Sequence, residues 1–173
     1  WDEEGYPSEF SEPALFELGL LQPSDWTAHW ITAPWDAREH APLIRHTFDL
    51  PALGDASIAR ARAYICGLGY HELSINGTRV GDHVLDPGWT DYSKRVLYVV
   101  HDVTAHVRLG TNALGVMLGN GWRWNPGFAS DAYWNRAGGP PVVLLQLEVE
   151  YQNGTRITIG GEPSAAWQCA RGP

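Results

Sequence analysis

Apolar and polar residues alternate in short runs along this chain, and helical spacing is nearly absent. The run Tyr70-His71-Glu72-Leu73-Ser74-Ile75 places Tyr70, Glu72 and Ser74 on one face and His71, Leu73 and Ile75 on the other. Asn76-Gly77 follows it, the dipeptide of a tight hairpin with positive φ at Asn76, and residues 78–80 return. Residues 142–151 form the longest run, with Val143, Leu145, Leu147, Val149 and Tyr151 on one face. Asn153-Gly154 turns that run into residues 155–159. Further strands are expected at 43–48, 58–65, 95–100 and 112–118. Asp102, ahead of Val103-Thr104, reads as the cap of a short turn. About eight short strands separated by Gly- and Pro-rich turns predict an all-β fold, an antiparallel β-sandwich of jelly-roll type.

Residues 1–25 read as a lead-in segment broken by Pro7, Pro13 and Pro23, with 14–18 a short strand that would pair with something upstream. Residues 26–173 hold the sandwich. Both ends read as cuts in a longer polypeptide.

Two loops are too long to be simple connectors. One covers residues 81–94 and contains Asp82, Asp86, Trp89, Asp91 and Tyr92. The other covers residues 119–141 and contains Asn120, Trp122, Trp124, Asp131, Tyr133, Trp134 and Asn135. If strands 95–100 and 112–118 are antiparallel neighbours, both loops open at the same end of the sandwich. Residues 32–42 would reach that end as well.

Composition narrows the partners. The net charge of −8 comes with no basic cluster, which excludes phosphate-backbone binding and disfavours an anionic membrane surface. Nine Trp against four Phe supply flat apolar faces that suit either core packing or ligand stacking. Cys66 sits in the apolar run Ala63-Tyr64-Ile65-Cys66 and reads as a buried thiol; a bridge to Cys169 stays open. The acidic opening Trp1-Asp2-Glu3-Glu4 does not read as a signal peptide, and both a secreted and a cytoplasmic setting remain, the secreted one preferred.

Catalytic patterns are absent. No Gly-x-Ser-x-Gly or His-Glu-x-x-His occurs, and the seven His are scattered without ligand spacing. Asp86, Asp91 and Asp131 are carboxylates without a pairing that would mark a glycosidase acid and base. The two loops do carry what a sugar site needs, which is amide and carboxylate groups beside Trp and Tyr platforms. Their oxygens are also the hard donors that Ca²⁺ takes.

Taken in order, Gly67-Leu68-Gly69-Tyr70, Ile75-Asn76-Gly77-Thr78-Arg79-Val80-Gly81, Leu85-Asp86-Pro87-Gly88-Trp89-Thr90-Asp91-Tyr92, Asp102-Val103-Thr104 and Leu118-Gly119-Asn120-Gly121-Trp122 resemble the N-terminal jelly-roll domain of bacterial α-L-rhamnosidases. The resemblance runs over residues 26–167. Residues 17–31 are similar to the junction that follows a fibronectin-III-like domain in those enzymes. The resemblance implies an accessory domain whose catalytic acid and base lie in a downstream barrel. In some such enzymes the domain is similar to modules that grip terminal L-rhamnose through Ca²⁺.

The expectation is a monomeric, non-catalytic module binding rhamnose-containing glycans. Asp86, Asp91, Asn120 and Asn135 would serve as metal ligands. Asp91, Asn120, Asn135, Trp89, Trp122 and Trp134 would contact sugar. The alternative is a structural domain that buttresses the catalytic barrel, or completes its active site through Trp134 and Asn135.

Overall fold

The computed structural model describes residues 3–35, 40–121 and 139–173. Two five-stranded antiparallel sheets face one another as a β-sandwich. In the first, β1 (Ile31–Thr32), β8 (Val142–Tyr151), β3 (Ile58–Leu68) and β6 (Val99–Asp102) lie side by side, and β9 (Arg156–Ile159) also pairs with β8. The second runs β10 (Trp167–Arg171), β2 (Pro42–Leu50), β7 (Gly110–Gly119), β4 (Tyr70–Ile75), β5 (Thr78–Arg79).

Period-two patterning places the core. Along β2 burial alternates at every residue, sending Ile44, His46, Phe48 and Leu50 inward. Leu73 and Ile75 of β4 and Leu114, Val116 and Leu118 of β7 join them, facing Ala61, Ala63 and Ile65 of β3 and the expected face of β8. Each buried Leu or Ile contributes about 1.5–3 kcal/mol relative to exposure. Cys66 is buried in the first sheet, Cys169 lies in the second, and no disulfide joins them.

Both hairpins form where the dipeptides place them: Asn76 and Gly77 take φ of 52° and 83°, and Gly154 takes 83°. Asn76 does more than turn the chain. Its Nδ2 donates to the His106 carbonyl and to Asn112 Oδ1, both at 2.9 Å, and its Oδ1 accepts from Ala113 N–H at 3.0 Å. Asn112, 1% exposed, donates in turn to the carbonyls of Arg108 and Gly110. These amides lock the crossing at residues 103–109 to the second sheet. Asp102 caps that crossing as expected, accepting Thr104 N–H at 3.0 Å and its hydroxyl at 2.7 Å.

Two expectations need correction. The strand placed at 95–100 is Val99–Asp102, because a turn tied by Asp91 occupies residues 91–95 and Tyr98 packs edge-on against Trp26. That strand is also no neighbour of β7: it pairs with β3 in the first sheet, and residues 103–109 carry the chain across to the second. Within this chain residues 14–18 form no strand.

The lead-in segment is nonetheless fastened down. Glu17 pairs with Arg60 and, at 2.7 Å, with Arg62 on the outer face of β3, and Tyr98 Oη donates to the Leu20 carbonyl at 3.0 Å. Trp26, Tyr64 and Tyr98 cluster beside it. Residues 17–28 thus form a strap across the first sheet.

Candidate functional site

The strand registers bring several loops to one end. Tyr70 opens β4 opposite Gly119 at the end of β7, and Leu43 near the start of β2 pairs with Met117. Leu68 at the end of β3 meets Val142 at the start of β8, Val142 also meets Thr32, and β6 begins opposite Ile65. Residues 33–35, 40–41, 80–98, 120–121 and 139–141 therefore all lie at this end. The first long loop and the described ends of the second share it, although the strands that bound each loop lie in different sheets. Thr32 Oγ1 donates to the Pro141 carbonyl at 2.9 Å, tying the first of these segments to the last.

The β3–β4 corner is the meeting point. A Cβ on Gly69 would collide with the backbone of Gly119 and Asn120, and Gly121 (φ 53°) packs its backbone against Gly69 from the same side. One residue pair further along, His71 N–H donates to the Asp86 carbonyl at 3.1 Å. So Asp86 and Asn120, far apart in sequence, are delivered to one corner. Asn120 is exposed, and Trp89, three residues beyond Asp86, is 54% exposed. Asp91 stays with its own turn: its carboxylate accepts from Ser93 N–H and Oγ and lies 3.1 Å from Lys94 Nζ. Those bonds, that to the Ser93 hydroxyl above all, lower its pKa. Trp122, Trp134 and Asn135 lie outside the described residues, as does Asp131.

The Asp86 side chain has company that the sequence did not announce. Its Oδ2 lies 2.8 Å from His83 Nδ1, the His83 and His101 rings are 5.5 Å apart, and one donor atom from each of the three residues lies within 4.8 Å of the others. Leu85, with φ of 59°, makes the left-handed turn that aims the Asp86 carbonyl at β4 and its carboxylate at His83. Arg79 Nη2 holds the His83 carbonyl at 2.7 Å, and the bare α-carbon of Gly81 faces the His101 imidazole. Burial lowers the pKa of His101, with the nearby His83 adding to the effect. Behind them His71 is buried, its Nδ1 has no hydrogen-bond partner among the described residues, and desolvation brings its pKa down to about 4. The spacing His83-x-x-Asp86 was a visible signal. His101 was not, because only the pairing of β6 with β3 brings it there.

A second depression, of about 1000 Å³, crosses the outer face of the second sheet. Leu43 and Met117 sit opposite each other in it, with Arg45, Arg79, Arg108 and Glu72 around them.

Residues 56–173 match the family described as the Alpha-L-rhamnosidase N-terminal domain. A protein named Alpha-L-rhamnosidase from Formosa agariphila is 36% identical over 100% of this chain and 20% of its own length. Among solved structures, the α-L-rhamnosidase from Dictyoglumus thermophilum superposes with a TM-score of 0.72 at 39% identity, over 90% of this chain and 18% of that one. The Streptomyces avermitilis α-L-rhamnosidase complexed with L-rhamnose gives 0.66 at 41% identity, over 78% and 12%. The chain thus spans about a fifth of the length of the curated relative it matches.

Proposed function

Because the chain belongs to the α-L-rhamnosidase N-terminal domain family, we propose that it is a non-catalytic accessory domain of an α-L-rhamnosidase and holds a terminal L-rhamnose at the loop-bearing end of its sandwich. The observation that carries this reading is the β3–β4 corner, where His71 N–H holds the Asp86 carbonyl, the Asn120 backbone lies against Gly69, and the loop that contains Asp86 presents Trp89 to solvent. An exposed indole stacks on the C–H face of a sugar, while amides and carboxylates take its hydroxyls. One small sugar buries little surface, so affinity in the micromolar to millimolar range is expected. Weak binding suffices for a tethered domain, since it raises the local concentration of polymeric substrate near the catalytic barrel.

Ca²⁺ at this end would draw on the exposed Asn120 amide oxygen, and would take Asp91 only by displacing Lys94 from its carboxylate. Bound there, Ca²⁺ would supply a hard Lewis acid for sugar hydroxyls. Asp86 fits that ion less well, because imidazole nitrogens, poor Ca²⁺ ligands, stand against its carboxylate.

Calorimetric titration of L-rhamnose into the full chain tests the proposal, first with CaCl₂ in excess and then with EDTA. Heat that requires Ca²⁺ and disappears in Trp89→Ala supports it. Silence in both conditions sinks it.

The groove on the second sheet favours one other reading. Leu43 and Met117 are exposed and adjacent, rimmed by Arg45, Arg79, Arg108 and Glu72, an apolar patch with a charged rim suited to packing against a neighbouring domain. A buttress of this kind would leave the rhamnose titration silent, while Met117→Glu would lower the melting temperature of the intact enzyme but not that of this chain alone.

A further inference from the structure

We infer that His83, Asp86 and His101 form a binding site for a divalent transition-metal ion of the zinc class, which clasps the 80–98 loop to β6. The three donors come from two separate places, two from the loop and one from the first sheet. One ligand atom from each of the three already lies within 4.8 Å of those of the other two. Donors around a tetrahedral zinc ion stand about 3.3–3.5 Å apart, given bonds of about 2.0–2.1 Å, so a small rotation of the exposed His83 completes the set. Two imidazoles and one carboxylate are the donor chemistry of zinc and its neighbours in the first transition row. They are the wrong chemistry for Ca²⁺, which takes oxygens almost alone. Three protein ligands leave a position for water or another oxygen.

The surroundings hold the ligands in place. Arg79 anchors the His83 carbonyl, and the His71 amide anchors that of Asp86. The left-handed Leu85 between them is a cost that an ordinary connecting loop has no reason to carry. A hydrogen bond between His83 and Asp86 would by itself explain neither this backbone nor the presence of His101. The site shares Asp86 with the corner proposed for rhamnose, and its test uses no sugar, so the failure of one reading is distinguishable from that of the other.

The test is a titration of Co²⁺ into the tag-free, chelator-stripped full chain, followed by visible absorption. Co²⁺ occupies zinc sites and gives ligand-field bands that report its geometry. The expected result is saturation at one equivalent, displacement by Zn²⁺ and indifference to Ca²⁺. Zn²⁺ should also raise the melting temperature by several degrees, since it binds only the folded state. His83→Ala and Asp86→Asn should each weaken binding by about tenfold or more. His29→Ala, which alters an exposed histidine outside the cluster, should leave it unchanged. Because His83 is exposed, its variant should melt with the parent in the absence of metal, which keeps the comparison clean. Absence of the bands at millimolar Co²⁺, or bands that persist in both cluster variants, would overturn the assignment.

Discussion

Gln146 Oε1 accepts the backbone N–H of Thr27 at 2.7 Å, joining the middle of β8 to a segment far from it in sequence. The same oxygen reaches Ala28 N–H at 3.3 Å, and Nε2 donates to the Asp25 carbonyl at 2.9 Å and to Glu148 at 3.0 Å. At 1% exposure this amide is a buried polar group with its bonds made. Gln146→Leu keeps the bulk and orphans those backbone groups. The expected loss is about 2–3 kcal/mol in denaturant unfolding, with hydrogen exchange accelerated in residues 17–28 and little changed in the β3–β8 ladder.

Acid should loosen the strap at its other end. Hydrogen bonds to Glu17, that from Arg62 foremost, hold its carboxyl below the ordinary value of 4.5. A depressed folded-state pKa means that the contribution is complete above 4.5 and is lost as pH falls through the lower, folded value. Trp26 fluorescence should therefore report a transition below pH 4.5. Glu17→Gln should abolish that step and give the acid-side signal at neutral pH.

Gly69→Ala should disturb the loop-bearing end specifically. The added methyl meets the Gly119 and Asn120 carbonyl region, which is backbone and has little room to yield. A cost of about 1–3 kcal/mol is expected, measured by denaturant midpoint, together with loss of the rhamnose heat.

Asn112 is the matching point at the opposite end. Asn112→Ala removes two donated and two accepted bonds from a buried position. Unfolding free energy should fall by about 3 kcal/mol, and Asn76→Ala in the same background should cost less than it does alone, because the two amides share one network.

How far the sequence could be read depended on whether a residue's partner lay on its own strand. Strands β4 and β8 have the bounds that alternation gives them, and Asn76 turns where its Gly neighbour says it should. Local pattern misplaced β6 because Tyr98, a good strand residue, is captured by Trp26 and Leu20, while Asp102 earns a place in the ladder opposite Arg62, to which it is also ion-paired at 2.9 Å. At the candidate site, Asp86 and Asn120 stood out as polar loop residues, and their common corner depends on Gly69, whose bare α-carbon reads from sequence only as a turn. His83 and His101 are joined by register, which carries no mark in either residue's neighbourhood.

The first sheet rests on β3 pairing with β8 along nearly its whole length, and the second has β2 between β7 and β10. About seventy residues separate the end of β3 from the start of β8. On the ribosome, that stretch takes on the order of several seconds to appear. Through that interval the edge of β3 that β8 will cover stays open to solvent or to a chaperone, and β2 waits longer still for its outer neighbour. The loops at the β3–β4 end are made before β8 and β10, which complete the two sheets. The domain therefore closes late and cooperatively, once translation has delivered its last third, and its yield in a cell is governed by what shields β2 and β3 until then.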